Sequence, residues 1–180
     1  MKRIILIGSS ALPVLLVLFA AVKWAEAPVA PLSGAVAPAQ SMAARSGATL
    51  EINGHTISAE LADTAEERAL GLGKRKFLAE DEGMLFVFER SDTYGIWMKD
   101  MRFSIDIVWL SPAQTNANCA PHSAEAYGCL VVVDVKEDAR PESYPEAFFS
   151  REKASYVLEI NGGLARKTGI RIGSFLTLGK

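Results

Sequence analysis

The sequence predicts a single α+β domain dominated by antiparallel β-strands, curled or closed into a small barrel, with two short helices and a preceding N-terminal hydrophobic helix. From residue 48 onward, short alternating or uniformly apolar segments recur between turn residues, a pattern typical of strands. Strands outnumber helices and the two do not alternate, which argues against a doubly wound parallel sheet. With 180 residues and 49% hydrophobic content, the chain can bury one good core.

The first 25 residues predict a segment directed to a membrane. Lys2 and Arg3 precede an uncharged, mostly apolar run from Ile4 to Val22, long enough to cross roughly 30 Å of hydrocarbon. The run is either an uncleaved signal-anchor or a signal peptide, since Ala25-Glu26-Ala27 matches a cleavage site. Pro28 directly after that site favours the anchor. We expect the domain outside the cytoplasm, facing the periplasm from the inner membrane or soluble there after cleavage.

Residues 26–47 predict an Ala/Pro/Ser-rich linker without apolar periodicity, and residues 48–180 a single globular domain. The domain opens with a hairpin, because two alternating segments flank Asn53-Gly54, a pair suited to a type I′ turn. A short helix is predicted over residues 63–71. Thr64 and Glu67 stand at capping-box spacing there, and Gly71 suits the residue after the helix.

The stretch from Gly83 to Leu110 predicts three consecutive strands. Met84 to Phe88 is almost uniformly apolar, and strands from Tyr94 to Lys99 and from Ile105 to Leu110 follow it. Residues 111–128 lack periodicity and predict a surface excursion. Further along, we expect strands over residues 130–135, 156–160 and 175–178, a loop over residues 138–145 and a brief helix over residues 164–168.

Cys119 and Cys129, the two cysteines of the chain, predict a disulfide bond. An even cysteine count in an exported chain favours pairing, and their spacing is not that of a redox or zinc pair. Closing so short a loop stabilises by about 2–3 kcal/mol on the chain-entropy estimate.

The charge and histidine content argue against several classes of partner and cofactor. Lys and Arg number 19 against 21 Asp and Glu, a net charge of -2, so we expect no nucleic-acid partner. The two histidines, His55 and His122, fall in a hairpin turn and a loop, which favours neither a histidine metal site nor a nucleophile–histidine pair. No segment has calcium-loop spacing. We therefore expect no metal and no other cofactor.

Several separated blocks occur in a fixed order along the chain: Glu67-Arg68, Gly71-Leu72, Gly83 to Phe88, Trp97-Met98-Lys99, Ile105-Asp106-Ile107 and Tyr156 to Glu159. Together they resemble the bacterial and archaeal family known as domain of unknown function 192, over almost everything from Ala48 to the C-terminus. The resemblance implies a compact β-rich domain, often exported, with no established activity to carry over. The chain departs from the family pattern at Gly73, Asp100-Met101 and Ser174.

Charged and aromatic residues within or beside the apolar strands are the candidate ligand-binding residues: Arg68, Arg75, Trp97, Lys99, Asp100, Asp106 and Glu159. A buried acid must be paired, hydrogen-bonded or protonated. On an alternating strand, Trp97 and Lys99 share one face while Met98 occupies the other. An aromatic ring beside cations and carboxylates suits a saccharide or another polar ligand.

Three functional hypotheses follow. The preferred one is a non-catalytic binding or accessory module of the cell envelope that recognises a small polar or saccharide ligand, or a protein partner, through these residues. The second is a hydrolase of a saccharide or cell-wall substrate, with two of Asp100, Asp106 and Glu159 as acid and base. The third is a structural envelope domain whose polar residues form a buried ion-pair network that fixes the strand register.

Overall fold

The structure, a computed structural model, describes residues 47–113 and 126–179. In chain order these residues form strands, two α-helices and one short 3₁₀ helix over residues Pro141–Ser143. The strands and α-helices are β1 (Gly47–Ile52), β2 (His55–Ala62), α1 (Ala65–Leu70), β3 (Glu82–Asp92), β4 (Gly95–Trp97), β5 (Ile105–Ala113), β6 (Ala126–Ala139), β7 (Ala147–Phe149), β8 (Ala154–Asn161), α2 (Leu164–Thr168) and β9 (Phe175–Gly179).

Seven of these strands close into a barrel in the order β1-β2-β3-β8-β5-β6-β9, with β9 pairing back onto β1. Six of the seven strand pairs in the barrel are antiparallel, and β2 pairs with β3 in parallel across α1. Strands β4 and β7 form a separate antiparallel ribbon. The predicted fold class, an antiparallel-rich barrel with two short helices, is confirmed.

Two layers of apolar side chains lie on opposite faces of β3, β8 and β5. Leu158 and Ile160 of β8 belong to the cluster that fills the barrel, together with Leu85 of β3. Val157, one position away, belongs to a second cluster with Phe86 of β3, on the outer face of the same strands. Alternation along each strand produces this division. Residues of β4 and of the loops after α1 and β4 cover the outer face and form the walls of the site described below.

Local sequence signals are confirmed where they were strongest. Asn53 and Gly54 both have positive φ, 49° and 80°, as a type I′ turn requires. Thr64 accepts a hydrogen bond from the Glu67 amide and the Glu67 side chain accepts one from the Thr64 amide, completing the capping box of α1.

Other boundaries differ from those predicted. Strand β4 covers only Gly95–Trp97 instead of continuing to Lys99, because the chain turns after Met98 and Asp100 adopts a φ of 58°. Strand β6 is longer than expected and includes residues predicted as loop, since it pairs with β5 on one side and β9 on the other. Strand β7 was not predicted; three residues are too few to show a period.

Several predictions concern residues outside the described part of the chain. The membrane-directing segment, the linker except for Gly47, and Cys119 all lie there. Cys129 is buried on β6. Because Cys119 lies outside the described residues, the disulfide stays a prediction. Within residues 47–113 and 126–179, no helix is both long and apolar enough to span a bilayer.

Candidate functional site

A cleft of about 290 Å³, here called the outer cleft, opens beside β4 on the outer face of the barrel. Helix α1, the loop that follows it, β3, β4 and β8 each contribute to its lining. The side chains and glycines that matter below are Arg68, Gly71, Gly73, Phe86, Phe88, Tyr94, Trp97, Lys99, Met101 and Glu159.

Glu159 is the acid of this cleft. It lies on β8 between Met84 of β3 and Ile107 of β5, and only 5% of its surface is exposed. No group within residues 47–113 and 126–179 forms a hydrogen bond with its carboxyl group. Burial raises the pKa of Glu159 to about 8, although the positive charge of Arg75 opposes the rise. At neutral pH the group is therefore mostly protonated and can donate a hydrogen bond.

The loop after α1 leaves space beside this carboxyl group because it contains glycine. A Cβ at Gly71 would lie 3.9 Å from Oε2 of Glu159 and 3.3 Å from the Phe86 ring. At Gly73 a Cβ would approach the Leu70 carbonyl oxygen to 2.9 Å, closer than real Cβ atoms come. The loop therefore packs tightly against its own turn at Gly73, and neither glycine adds a side chain to the cleft.

An aromatic wall, formed by Phe88 and Tyr94, stands on one side of the cleft. The two rings stack with 3.5 Å between their centroids and an angle of 9° between their planes. The Arg68 guanidinium carbon lies 5.3 Å from the Phe88 centroid, within cation–π range. Nη1 of Arg68 also donates hydrogen bonds to the carbonyl oxygens of Val87, at 2.9 Å, and Asp63. These contacts fix the position of the guanidinium group.

Trp97 and Lys99 also line the cleft. Ile96 and Met98 are buried while 50% of the Trp97 surface is exposed, which agrees with the alternation expected from sequence. Nζ of Lys99 lies 5.6 Å from the Trp97 ring centroid. Tyr144 approaches the same ring edge-on, with 6.0 Å between centroids. Trp97 thus presents a partly exposed ring at the mouth of the cleft.

Three of the seven candidate residues are not among those that line the cleft. Arg75 forms a two-bond ion pair with Glu60, with nitrogen–oxygen distances of 2.6 and 2.8 Å. Asp100 is exposed at the turn after β4. Asp106 is completely buried, as the next paragraph describes. The structure thus brings together Arg68, Trp97, Lys99 and Glu159 only.

Both carboxylate oxygens of Asp106 accept hydrogen bonds from backbone amides. Oδ1 accepts one from Asp138 and Oδ2 one from Ala165 in the first turn of α2, each at 2.9 Å. The carboxylate therefore joins β5 to β6 and α2. Asp106 is directly paired with Ile160, whereas Glu159 is paired with Ile107. Paired residues share a face and neighbours along a strand alternate, so Asp106 and Glu159 point to opposite faces of the sheet.

The aromatic lining residues Phe86, Phe88 and Tyr94 and the neighbouring Met101 were not among the candidates. A partial signal was present, because Met84, Phe86 and Phe88 alternate along β3 and therefore share the face that Glu159 occupies. The contribution of Tyr94 and Met101 depends on the loops around β4, for which the sequence has no periodic signal. Among the described residues, no group of three or more His, Cys, Asp or Glu is placed to hold a metal ion.

Fold and site together define a small seven-stranded barrel domain with an aromatic cleft on its outer face. Its sequence identifies the family: the profile of domain of unknown function 192 (DUF192), described as "Uncharacterized ACR", matches residues 48–178. Because the match covers most of the chain, this protein belongs to the DUF192 family. The resemblance noted from the separated sequence blocks is confirmed.

Two crystal structures illustrate the similarity of the fold. One is a Sinorhizobium meliloti 1021 protein described as a "putative transcription regulator", with 27% identity, a TM-score of 0.57, and coverage of 73% of this chain and 90% of the other. The other is a protein of unknown function from Novosphingobium aromaticivorans DSM 12444, with 28% identity and a TM-score of 0.56. That match covers 74% of this chain and 84% of the other. No curated protein shows significant sequence similarity to the chain.

Proposed function

We propose that this protein is a non-catalytic binding module of the cell envelope, and that its outer cleft takes a small polar ligand of the saccharide type. One observation carries the proposal: a half-exposed Trp97 stands over a cleft in which the buried carboxyl group of Glu159 has no partner among the described residues. Only water that enters the cleft can solvate this carboxyl group, and a ligand that supplies a hydrogen bond can replace that water.

The shape and chemistry of the cleft suit a ring that carries hydroxyl groups. A volume of about 290 Å³ is at the small end of ligand sites, which favours a single ring over an extended chain. The exposed face of Trp97 offers apolar stacking to the flat side of such a ring. Lys99 and Glu159 offer hydrogen bonds to its edges.

A binding role is favoured over hydrolysis by the placement of the acids. Acid–base hydrolysis of a glycosidic bond needs two carboxyl groups that flank one substrate. Asp106 and Glu159 point to opposite faces of the sheet, and Asp100 is not among the residues lining the cleft. Asp106 fits the structural hypothesis instead, because both of its oxygens are engaged by backbone amides.

The envelope location is supported by the sequence of the first 25 residues. A membrane-length apolar run from Ile4 to Val22 after Lys2 and Arg3 directs the domain to the far side of the inner membrane. Alkaline phosphatase fused after Lys180 should therefore be active in cells, and an inactive fusion would contradict the export proposal. DNA binding is not proposed for this chain, because its net charge is -2.

Isothermal titration of the full-length chain in mild detergent tests the binding proposal, with monosaccharides and soluble cell-wall fragments as titrants. Wild-type protein should release or absorb heat with at least one of them. Trp97→Ala should weaken that binding about tenfold, because the stacking surface is lost. Phe77→Ala is the matched control, since Phe77 is 76% exposed and is not among the residues lining the cleft. Equal affinity of wild type and Trp97→Ala would contradict the proposal.

A further inference from the structure

We infer that the saccharide-type ligand of the outer cleft is an anionic pyranose, whose acidic group binds between Lys99 and Arg68 while an uncharged oxygen of the same molecule accepts a hydrogen bond from Glu159. The inference rests on the proposed function and adds to it the charge of the ligand and the way it is oriented. Three features of the cleft support it.

The first feature is that the two cations of the cleft form no ion pair with an acid of the described residues. Five ion pairs occur among the described residues, and each joins a cation outside the cleft to a carboxylate. Neither Arg68 nor Lys99 takes part in these pairs. Each instead lies over an aromatic ring, Phe88 and Trp97 respectively. A ligand carboxylate or phosphate would supply the missing counter-charge through charge-assisted hydrogen bonds.

The second feature is the fixed position of Arg68. One terminal nitrogen of its guanidinium group is held by two backbone carbonyl groups, while the ring of Phe88 supports the planar face. The other N–H groups form no hydrogen bond within residues 47–113 and 126–179. Because the side chain is already ordered, an anion that binds it avoids part of the entropy cost of fixing a long side chain.

The third feature is that Glu159, the acid among the lining residues, contributes little negative charge. Its burial favours the protonated form at neutral pH, which leaves the two cations uncompensated. The protonated carboxyl group donates a hydrogen bond, so it selects an acceptor such as a hydroxyl or carbonyl oxygen. A cationic ligand is disfavoured, because it would meet the two like charges of Arg68 and Lys99.

Three pyranoses that differ mainly in charge provide the test: glucose, glucuronate and glucosamine. Titration of each into the full-length protein at neutral pH should give the tightest binding for glucuronate, about tenfold tighter than for glucose, and the weakest for glucosamine. Lys99→Met should reduce the glucuronate affinity to that of glucose. Lys76→Met is the matched control, since Lys76 is exposed and is not among the lining residues.

Two substitutions at Glu159 test the orientation. Glu159→Gln retains a donor and should keep the glucuronate affinity within about twofold, whereas Glu159→Leu has a similar size without a donor and should lose about tenfold. If Glu159→Gln and Glu159→Leu weaken binding equally, the inference that Glu159 donates a hydrogen bond to the ligand is wrong.

The other outcomes separate the two proposals. If glucose or glucosamine binds tightest and Trp97→Ala still weakens the binding, the inference of an anionic ligand is wrong. The proposal that the outer cleft binds a ligand is then retained. If none of the three sugars binds, the anionic pyranose and the saccharide-type ligand both fail. If glucuronate binds tightest but Trp97→Ala and Lys99→Met leave its affinity unchanged, the ligand is held elsewhere and both proposals are wrong.

Discussion

Replacement of Glu159 by glutamine should change the way stability depends on pH. Burial in the cleft raises the pKa of this carboxyl group in the folded protein to about 8, against 4.5 for the ordinary group. Between these values the folded state binds more protons than the unfolded state does, so the free energy of unfolding falls as pH rises from about 4.5 to about 8. Above pH 8 the loss is complete. Glutamine does not titrate, so the variant lacks this dependence of stability on pH.

The size of the effect follows from the two pKa values. One pKa unit corresponds to about 1.4 kcal/mol, so this shift makes the wild type lose about 4 kcal/mol relative to Glu159→Gln between about pH 5 and pH 8.5. Water that enters the cleft solvates the carboxylate and reduces the loss, which gives an expected range of about 2–4 kcal/mol.

Urea unfolding at about pH 5, 7 and 8.5 measures this difference. The contributions of the other titrating groups cancel when the free energy of unfolding of the variant is subtracted from that of the wild type. Glu51→Gln is the matched control, because Glu51 is an exposed glutamate on β1. Its free energy of unfolding should lie within about 0.5 kcal/mol of the wild-type value at each pH, as is usual for surface substitutions. A constant difference for Glu159→Gln as well would refute the assignment of Glu159 as a buried, mostly protonated acid.

Three further changes test the framework around the cleft. Arg151→Met should lower the stability near pH 7, because the hydrogen bond from Arg151 lowers the pKa of Asp134 to about 2. The difference from the wild type should vanish as pH falls through 2, and the exposure of Arg151 keeps it small. Acid and urea unfolding measure this. Asp106→Asn should cost about 3 kcal/mol in urea unfolding at neutral pH, because the new side-chain N–H group would face one of the two backbone N–H groups that now donate to Asp106. An unchanged stability would contradict the role of Asp106 in joining β5 to β6 and α2. Gly83→Ala should cost about 1–3 kcal/mol in the same assay, because its Cβ would lie 2.8 Å from the Glu159 carbonyl oxygen.

The elements predicted most accurately are those whose causes lie within a few residues of each other. The Asn53-Gly54 turn and the Thr64–Glu67 capping box depend on contacts between near neighbours, and both have the expected geometry. The position of Trp97 was likewise predictable, because its neighbours Ile96 and Met98 are apolar and alternation on a short strand decides which side faces outward.

The composition of the cleft was only partly predictable, because it depends on which strands become neighbours. Glu159 joins Trp97 and Lys99 only because β8 pairs between β3 and β5, and no pattern within β8 encodes that order. Arg75 carries the same charge as Arg68 and lies near it in sequence. It nevertheless pairs with Glu60, since β2 runs beside the loop that carries it.

The contrast between Asp106 and Glu159 shows why the sequence did not separate an acid held by backbone amides from an acid that lines the cleft. Both acids stand among apolar residues of adjacent strands, so the same rule, that a buried acid needs a partner, applied to each. Asp106 occupies the face of the sheet where the backbone amides of Asp138 and Ala165 satisfy it. Glu159 occupies the other face, where Gly71 leaves space and supplies no donor. A chain selected for stability alone would place an apolar residue there. The acid at this position, at a cost that rises with pH, is therefore the feature that the proposed ligand is meant to explain.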